Sequence, residues 1–318
     1  MCVYVSTKDV SFAKRYLPWI ALGAVWILWG STYLAIRVAV ETIPPFLMVG
    51  TRYIIAGLLL GALQYAFAKN KPGLPSMQQL KRIAITGVLL LVIGNGILCL
   101  AETRIPSGIA ALIVASVPIW MLVFEAIRVR KMMSWASVAG LLVGSIGMVL
   151  LVGEQTGAAN IFYGALILVG SIAWALGSIY SRTTQQHYAL TAPLEMTLGG
   201  VVAVAVGLTL GEASHFSVAA VSTQSLYGML WLITGGAMAG YTAYTYIVHT
   251  LPAPTVATYG YVNPIVAVIL GAAVLHEPVT WTVLAGGAAI IVSVVVILLG
   301  NRHRPNEDVV LDLAEDAV

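Results

Sequence analysis

The sequence predicts an all-α membrane protein: ten transmembrane helices arranged as two inverted five-helix repeats, with both termini cytoplasmic. Three observations carry that prediction. Hydrophobic residues make up 59% of the 318-residue chain and charged residues only 9%, far below the roughly 25% charged of a soluble domain. Ten apolar stretches can be marked, at 17–38, 46–67, 83–101, 107–127, 135–152, 161–180, 192–210, 225–247, 253–274 and 280–299. Each approaches the roughly 20 residues that a hydrocarbon core of about 30 Å requires. Finally, a gap-free shift of 146 superimposes Pro106 on Pro252, Pro118 on Pro264, Ile119 on Ile265, Trp135 on Trp281 and Gly140 on Gly286.

Lipid offers backbone groups no partner, so every spanning stretch must be helical. The first follows Lys14 and Arg15 as a signal peptide would, but it is long, contains Pro18 and Trp19 and opens a repeat unit. It is expected to be a retained helix. The second carries Arg52 about two turns from one end, and the third holds Asn95 and Cys99 on one face. The fourth and ninth contain Pro118 and Pro264, each the twelfth residue of its segment and so near mid-membrane. Proline lacks an N–H and pushes against the carbonyl four residues back, here those of Val114 and Gly260. Carbonyls freed in this way should face protein or a water-filled cavity.

The fifth and tenth stretches open beside Trp135 and Trp281, which read with Trp19 as interfacial anchors. They carry the glycines Gly140, Gly144, Gly147, Gly286 and Gly287, suited to close packing of neighbouring helices. The sixth aligns with the first at a shift of 145, Trp29 on Trp174 and Arg37 on Arg182. The seventh carries Glu195 near its start, and the eighth carries Tyr241, Tyr244 and Thr245, with Gly94 mapping on Gly240 at 146. The chain therefore divides into an N-terminal segment 1–16, a first repeat 17–152, a second repeat 161–300 and an acidic tail 301–318. An odd number of spans per repeat makes the second enter from the opposite face. Inverted repeats of this kind supply the two conformations of alternating access.

Charge placement sets the orientation. Thirteen of the 16 Lys and Arg fall in the termini or in alternate connections, from Lys8, Lys14 and Arg15 through Lys69, Lys71, Lys81, Arg82, Arg128, Arg130, Lys131 and Arg182 to Arg302 and Arg304. The intervening connections hold Glu41, Glu102, Glu154, Glu212 and Glu277. The cation-rich side, with both termini, is expected to be cytoplasmic.

Several features together resemble the EamA-type branch of the drug/metabolite transporter superfamily over about residues 15–300. They are the run Trp29-Gly30-Ser31-Thr32-Tyr33, Arg52, the Pro118 and Pro264 helices, and His276-Glu277-Pro278 before the last helix. The resemblance implies a multi-pass bacterial inner-membrane exporter of amino acids or related metabolites, with a central cavity between the halves. Glu277-Pro278 has no partner in the first half, where Lys131-Met132 stands instead.

Candidate site residues follow from faces and depth. Trp26, Trp29, Gly30, Tyr33 and Arg37 form one helical stripe, with Ser171, Trp174 and Ser178 matching it in the sixth stretch. Tyr244, Tyr259 and Asn263, with Asn95 and Trp120, complete the expected cavity lining, because small-molecule pockets are mostly apolar with sparse orienting polar groups. Pro118 and Pro264 are expected as helix bends, Arg52 and Glu195 as gating or substrate-contacting charges. Arg52 could bind a substrate carboxylate or bridge helices, or either residue could snorkel to the nearer interface. Glu125 is expected to pair with Arg128 one turn along its helix.

The five histidines, His187, His215, His249, His276 and His303, fall at loops or helix ends, and no His-x-x-x-His, Gly-x-Ser-x-Gly or Walker sequence appears. Cys2 and Cys99 offer no zinc spacing. No enzyme activity, cofactor, metal or nucleic-acid partner is therefore expected; the partners are a small-molecule substrate and the lipid bilayer, with monomer and homodimer both open. A nucleotide-sugar or sugar-phosphate exchanger of the same superfamily is the alternative within transport, though it would need more deep cations than Arg52. A receptor or structural partner is the alternative outside it.

Overall fold

The computed structural model describes residues 7–68, 71–130, 135–154, 158–183, 190–251, 253–256 and 258–301. Cys2, Lys69, Lys131, Met132, His187, Pro252, Arg302, His303, Arg304 and the tail beyond Asn301 lie outside them. Every regular element among the described residues is helical: α1 (Thr7–Ala39), α2 (Pro45–Phe67), α3 (Met77–Glu102), α4 (Ser107–Val114), α5 (Val117–Val129), α6 (Trp135–Glu154), α7 (Ala158–Thr183), α8 (Thr191–Thr209), α9 (223–250), α10 (Ala253–Val256), α11 (Tyr259–Leu275) and α12 (Trp281–Asn301). Six helical runs are long and apolar enough to cross a membrane, and shorter apolar stretches lie in α6, α11 and α12.

Local sequence explains where the helices start and stop. Ser76 opens α3 with a reciprocal capping box to Gln79, which satisfies two otherwise orphaned N–H donors. Proline begins α2 at Pro45, where its missing N–H costs nothing. Two helices close on non-glycine residues in the left-handed region, Arg130 after α5 (φ 52°) and His276 after α11 (φ 54°). These positions are 146 apart, the same shift that pairs the prolines. Helix α1 begins ten residues before the expected stretch, at Thr7.

The proline stretches differ from one another. In the first, the helix stops at Val114 and resumes at Val117, so Pro118 sits in the first turn of α5. The backbone tightens there, Ser116 N–H donating to Ile113 and Ile119 N–H to Ser116. This is the expected response to a proline that has no N–H to donate to the Val114 carbonyl behind it. In the second, α11 begins at Tyr259 and runs unbroken through Pro264. Glycine at 260, four residues before the proline, removes the side chain that would otherwise crowd Pro118: a Cβ there would stand 2.9 Å from Pro118 Cγ. The two proline helices thus pass in contact.

Helices of one half pack mainly on helices of the other. The most extensive pairings are α6 with α12, α2 with α8 and α1 with α9, followed by α7 with α3 and α1 with α11. Small residues make the first two possible. A Cβ at Gly147 would stand 2.8 Å from the Gly286 carbonyl, and one at Gly200 would stand 2.8 Å from the Gly50 carbonyl, the close backbone approach that small residues allow in membranes. Ser293 adds a hydrogen bond to the Gly140 carbonyl at 2.6 Å. The glycine rows noted in the sequence are therefore used within the chain.

Two helices are wound differently from the regular α form. Residues Val88–Gly96 of α3 and Leu232–Tyr241 of α9 adopt π geometry. A shift of 146 carries the first almost onto the second. π segments are rare and occur frequently at functional sites.

Candidate functional site

A cavity opens between the halves where these irregular segments meet. With the open space at its mouth included, it spans about 640 Å³. α1 contributes Trp29, Thr32 and Tyr33; α2 contributes Arg52 and Tyr53; α3 contributes Gly94, Asn95 and Leu98. Val114 and Val117 flank the break before Pro118, Gly170, Ser171 and Trp174 come from α7, Gly236 from α9, and Tyr259 and Asn263 from α11.

The rings form one interlocked cluster. Trp29 meets Trp174 edge-on at 5.5 Å, Tyr259 edge-on at 5.5 Å and Tyr244 at 4.7 Å, all within the span over which aromatic pairs attract. Trp29 Nε1 donates to the Gly236 carbonyl at 3.0 Å. A crossed arrangement places each tryptophan against the glycine of the opposite half. A Cβ at Gly240 would stand 2.6 Å from Trp29 Nε1, and one at Gly94 would stand 3.0 Å from Trp174 Cε3. Glycine at these two positions is what lets the rings reach the π segments.

The polar groups are sparse and held. Arg52 is 3% exposed; its Nη2 donates to Asn95 Oδ1 and to the Tyr53 hydroxyl, and its guanidinium lies 4.5 Å above the Tyr53 ring. Cys99 Sγ also donates to Asn95 Oδ1, at 3.4 Å. Asn263, in the amide orientation that satisfies its neighbours, donates to the carbonyls of Tyr259 and Trp26. Among the described residues no three His, Cys, Asp or Glu come together as a metal site.

The expected site residues separate into groups. Trp29, Tyr33, Arg52, Asn95, Trp174, Tyr259 and Asn263 border the cavity. Tyr244 and Ser178 stand behind it, joined hydroxyl to hydroxyl at 2.8 Å, with Tyr244 packed under Trp29. Trp120 is set apart, in the satellite cluster around Val117, Met121 and Ala175. Pro118 and Pro264 shape the helices but do not border the space. Glu195 is also away from it, buried on α8, where it accepts a 2.6 Å hydrogen bond from Tyr241. Neither Arg52 nor Glu195 snorkels: both are buried and hydrogen-bonded inside the bundle. Glu125 pairs with Arg128 through two hydrogen bonds.

Sequence reasoning passed over Thr32, Tyr53, Leu98 and Gly236, and over two acidic caps. The Glu277 carboxylate accepts from Ser107 N at 2.8 Å, Ser107 Oγ at 2.9 Å and Gly108 N at 3.1 Å, capping α4. Glu212 does the same for α2, accepting from Phe46 N at 3.1 Å and Leu47 N at 2.9 Å. Each cap spans the two halves and places a negative group at the positive end of a helix. Pro44-Pro45 and Pro106 preceding bare helix starts were the available signal.

The EamA-like transporter family model matches this chain twice, over residues 17–153 and 162–299. The chain belongs to the EamA-like transporter family. An uncharacterised inner-membrane transporter, YedA, of Escherichia coli strain K12 is 35% identical over 305 residues, 93% of this chain and 95% of its own length. A probable amino-acid metabolite efflux pump of Salmonella typhimurium is 22% identical over 297 residues, covering 87% of this chain and 93% of the relative. A protein of known crystal structure aligns with a TM-score of 0.62 at 19% identity, over 90% of this chain and 98% of that one. That last likeness shows a similar fold and nothing further.

Proposed function

We propose that this EamA-like protein is a secondary transporter of a bacterial inner membrane, exporting a small amphipathic metabolite such as an amino acid or aromatic compound. Residues 17–152 and 161–300 form two inverted five-helix repeats, ten spans in all, with both termini cytoplasmic. They rock against each other so that the cavity faces each side of the membrane in turn. The observation that carries this reading is the ring-lined cavity where the halves meet, with Trp29 and Trp174 from matching positions in edge-on contact. Matched irregular helices around a shared space are the mark of such carriers. The π segments at corresponding places in α3 and α9, and the left-handed caps at Arg130 and His276, support the same two-fold correspondence.

Within this reading the rings of Trp29, Tyr33, Trp174 and Tyr259 take the apolar body of the solute, while Asn95 and Asn263 orient its polar end. Tyr244 and Ser178 hold those rings from behind. The cation-rich connections support the orientation, and the inner-membrane relative from Escherichia coli and the Salmonella efflux protein support the location and direction. Reconstitution into liposomes with a panel of labelled amino acids, nucleosides and sugars tests the proposal. Saturable flux of at least one amphipathic compound is expected; its absence across the panel, with correctly inserted protein, would overturn it.

A further inference from the structure

Arg52 carries its charge under all ordinary conditions, and it carries it in a place where an uncompensated charge is costly. It is 3% exposed. Its contacts are neutral: Asn95 Oδ1, the Tyr53 hydroxyl at 3.1 Å and the Tyr53 ring. Its Nε is buried and donates to nothing. Glu102 lies within electrostatic range, but both of its carboxylate oxygens are buried without any donor, so no ion pair joins the two. Among the described residues Arg52 is also the sole charged side chain bordering the cavity.

We propose that Arg52, held in place by Asn95 and Tyr53, forms an anion subsite for the carboxylate of a monoanionic metabolite whose aromatic or alkyl body lies among Trp29, Trp174 and Tyr259. The inference rests on the reading of this cavity as the transport site and names its substrate class. An arginine offers a planar fork of donors matched to a carboxylate, and here Nη2 is fixed by Asn95 and Tyr53 while Nε makes no hydrogen bond. A phosphate dianion would call for additional cations that the wall lacks. A cationic solute would meet a buried positive charge. The subsite also has a link to conformation, because Asn95 belongs to the π segment Val88–Gly96, so movement of that segment would change how the guanidinium is held.

The test compares three ligands of one shape: phenylacetate, its neutral counterpart phenylacetamide, and cationic 2-phenylethylamine. Binding to the purified full-length chain is followed by tryptophan fluorescence, with Trp29 and Trp174 as the reporting rings. Phenylacetate is expected to bind at least about tenfold more tightly than the amide, with the amine weakest, since a site built around one polar group rejects the analogue lacking it. Arg52→Gln should bring acid and amide together. Equal binding of acid and amide by the unmodified protein, binding by none of the three, or an acid preference that survives Arg52→Gln would each overturn the proposal. The unmodified protein decides the first two outcomes, so poor folding of the variant does not leave the matter open. Flux of the same compounds in proteoliposomes separates the two claims. Acid-selective binding without saturable flux would sink the transport reading and leave the subsite; saturable flux of neutral solutes without acid preference would do the reverse.

Discussion

Gly240→Ala is the sharpest single perturbation available behind the Trp29 ring of the cavity wall. The added methyl would stand 2.6 Å from Trp29 Nε1 and 2.7 Å from its Cδ1, against the 3.5–4.0 Å or so at which carbon contacts are comfortable. The indole must therefore retreat by about 1 Å. It has little room, because it is already packed on Trp174, Tyr244 and Tyr259, and retreat strains its 3.0 Å hydrogen bond to Gly236. Overpacking of this kind costs about 1–3 kcal/mol, and the weakened hydrogen bond adds about 1 kcal/mol. If half of that total falls on solute binding, flux drops about tenfold, since about 1.4 kcal/mol is a factor of ten. Proteoliposome flux and thermal unfolding, measured side by side, read both effects. Gly94→Ala, with Trp174 Cε3 at 3.0 Å, should be milder, and Gly23→Ala, which meets nothing within 4 Å, should be silent. Equal behaviour of Gly240→Ala and Gly23→Ala would refute the crossed tryptophan–glycine arrangement as a functional contact.

Three further outcomes are expected. Glu277→Ala strips the acceptor from Ser107 N, Ser107 Oγ and Gly108 N, which should destabilise the fold by about 1–3 kcal/mol; an unchanged unfolding temperature would contradict the cap. Tyr241→Phe leaves the buried Glu195 carboxyl without its donor and should cost a similar amount, about 1–3 kcal/mol. Adding Glu195→Leu should recover part of it, as a double-mutant cycle would report, and additive losses would argue against the pair. Pro264→Ala should change transport rate more than folded yield, because α11 continues unbroken through Pro264; normal flux would make the proline purely architectural.

The membrane class and the internal correspondence were legible because both are written in residue type and spacing. Apolar length, cation placement and the 146 shift all survive without coordinates. The faces of α1 and α7 were legible too, since Trp29, Tyr33 and Trp174 lie on stripes of helical period and all border the cavity. The π segments were not, because one extra residue per turn leaves no compositional trace in runs such as Val88–Gly96. Gly236, Leu98 and Tyr53 escaped as well, because their facing depends on the local winding or on the partner helix. Trp120 was expected at the cavity for its depth, but it packs against the cluster of Val117, Met121 and Ala175, a contact that depth along a helix does not specify. The acidic caps escaped because Glu212 and Glu277 look like ordinary loop residues until the opposite half brings Leu47 and Ser107 to them.

Counterflow in proteoliposomes tests the central claim most directly. Vesicles are preloaded with an excess of the unlabelled compound that shows saturable flux, then diluted into a trace of the labelled one. A cavity that faces each side in turn predicts transient accumulation of label above equilibrium, abolished when the inside is empty. Label that only equilibrates, at a rate indifferent to the preload, would contradict alternating access and mark the cavity as a continuous pore.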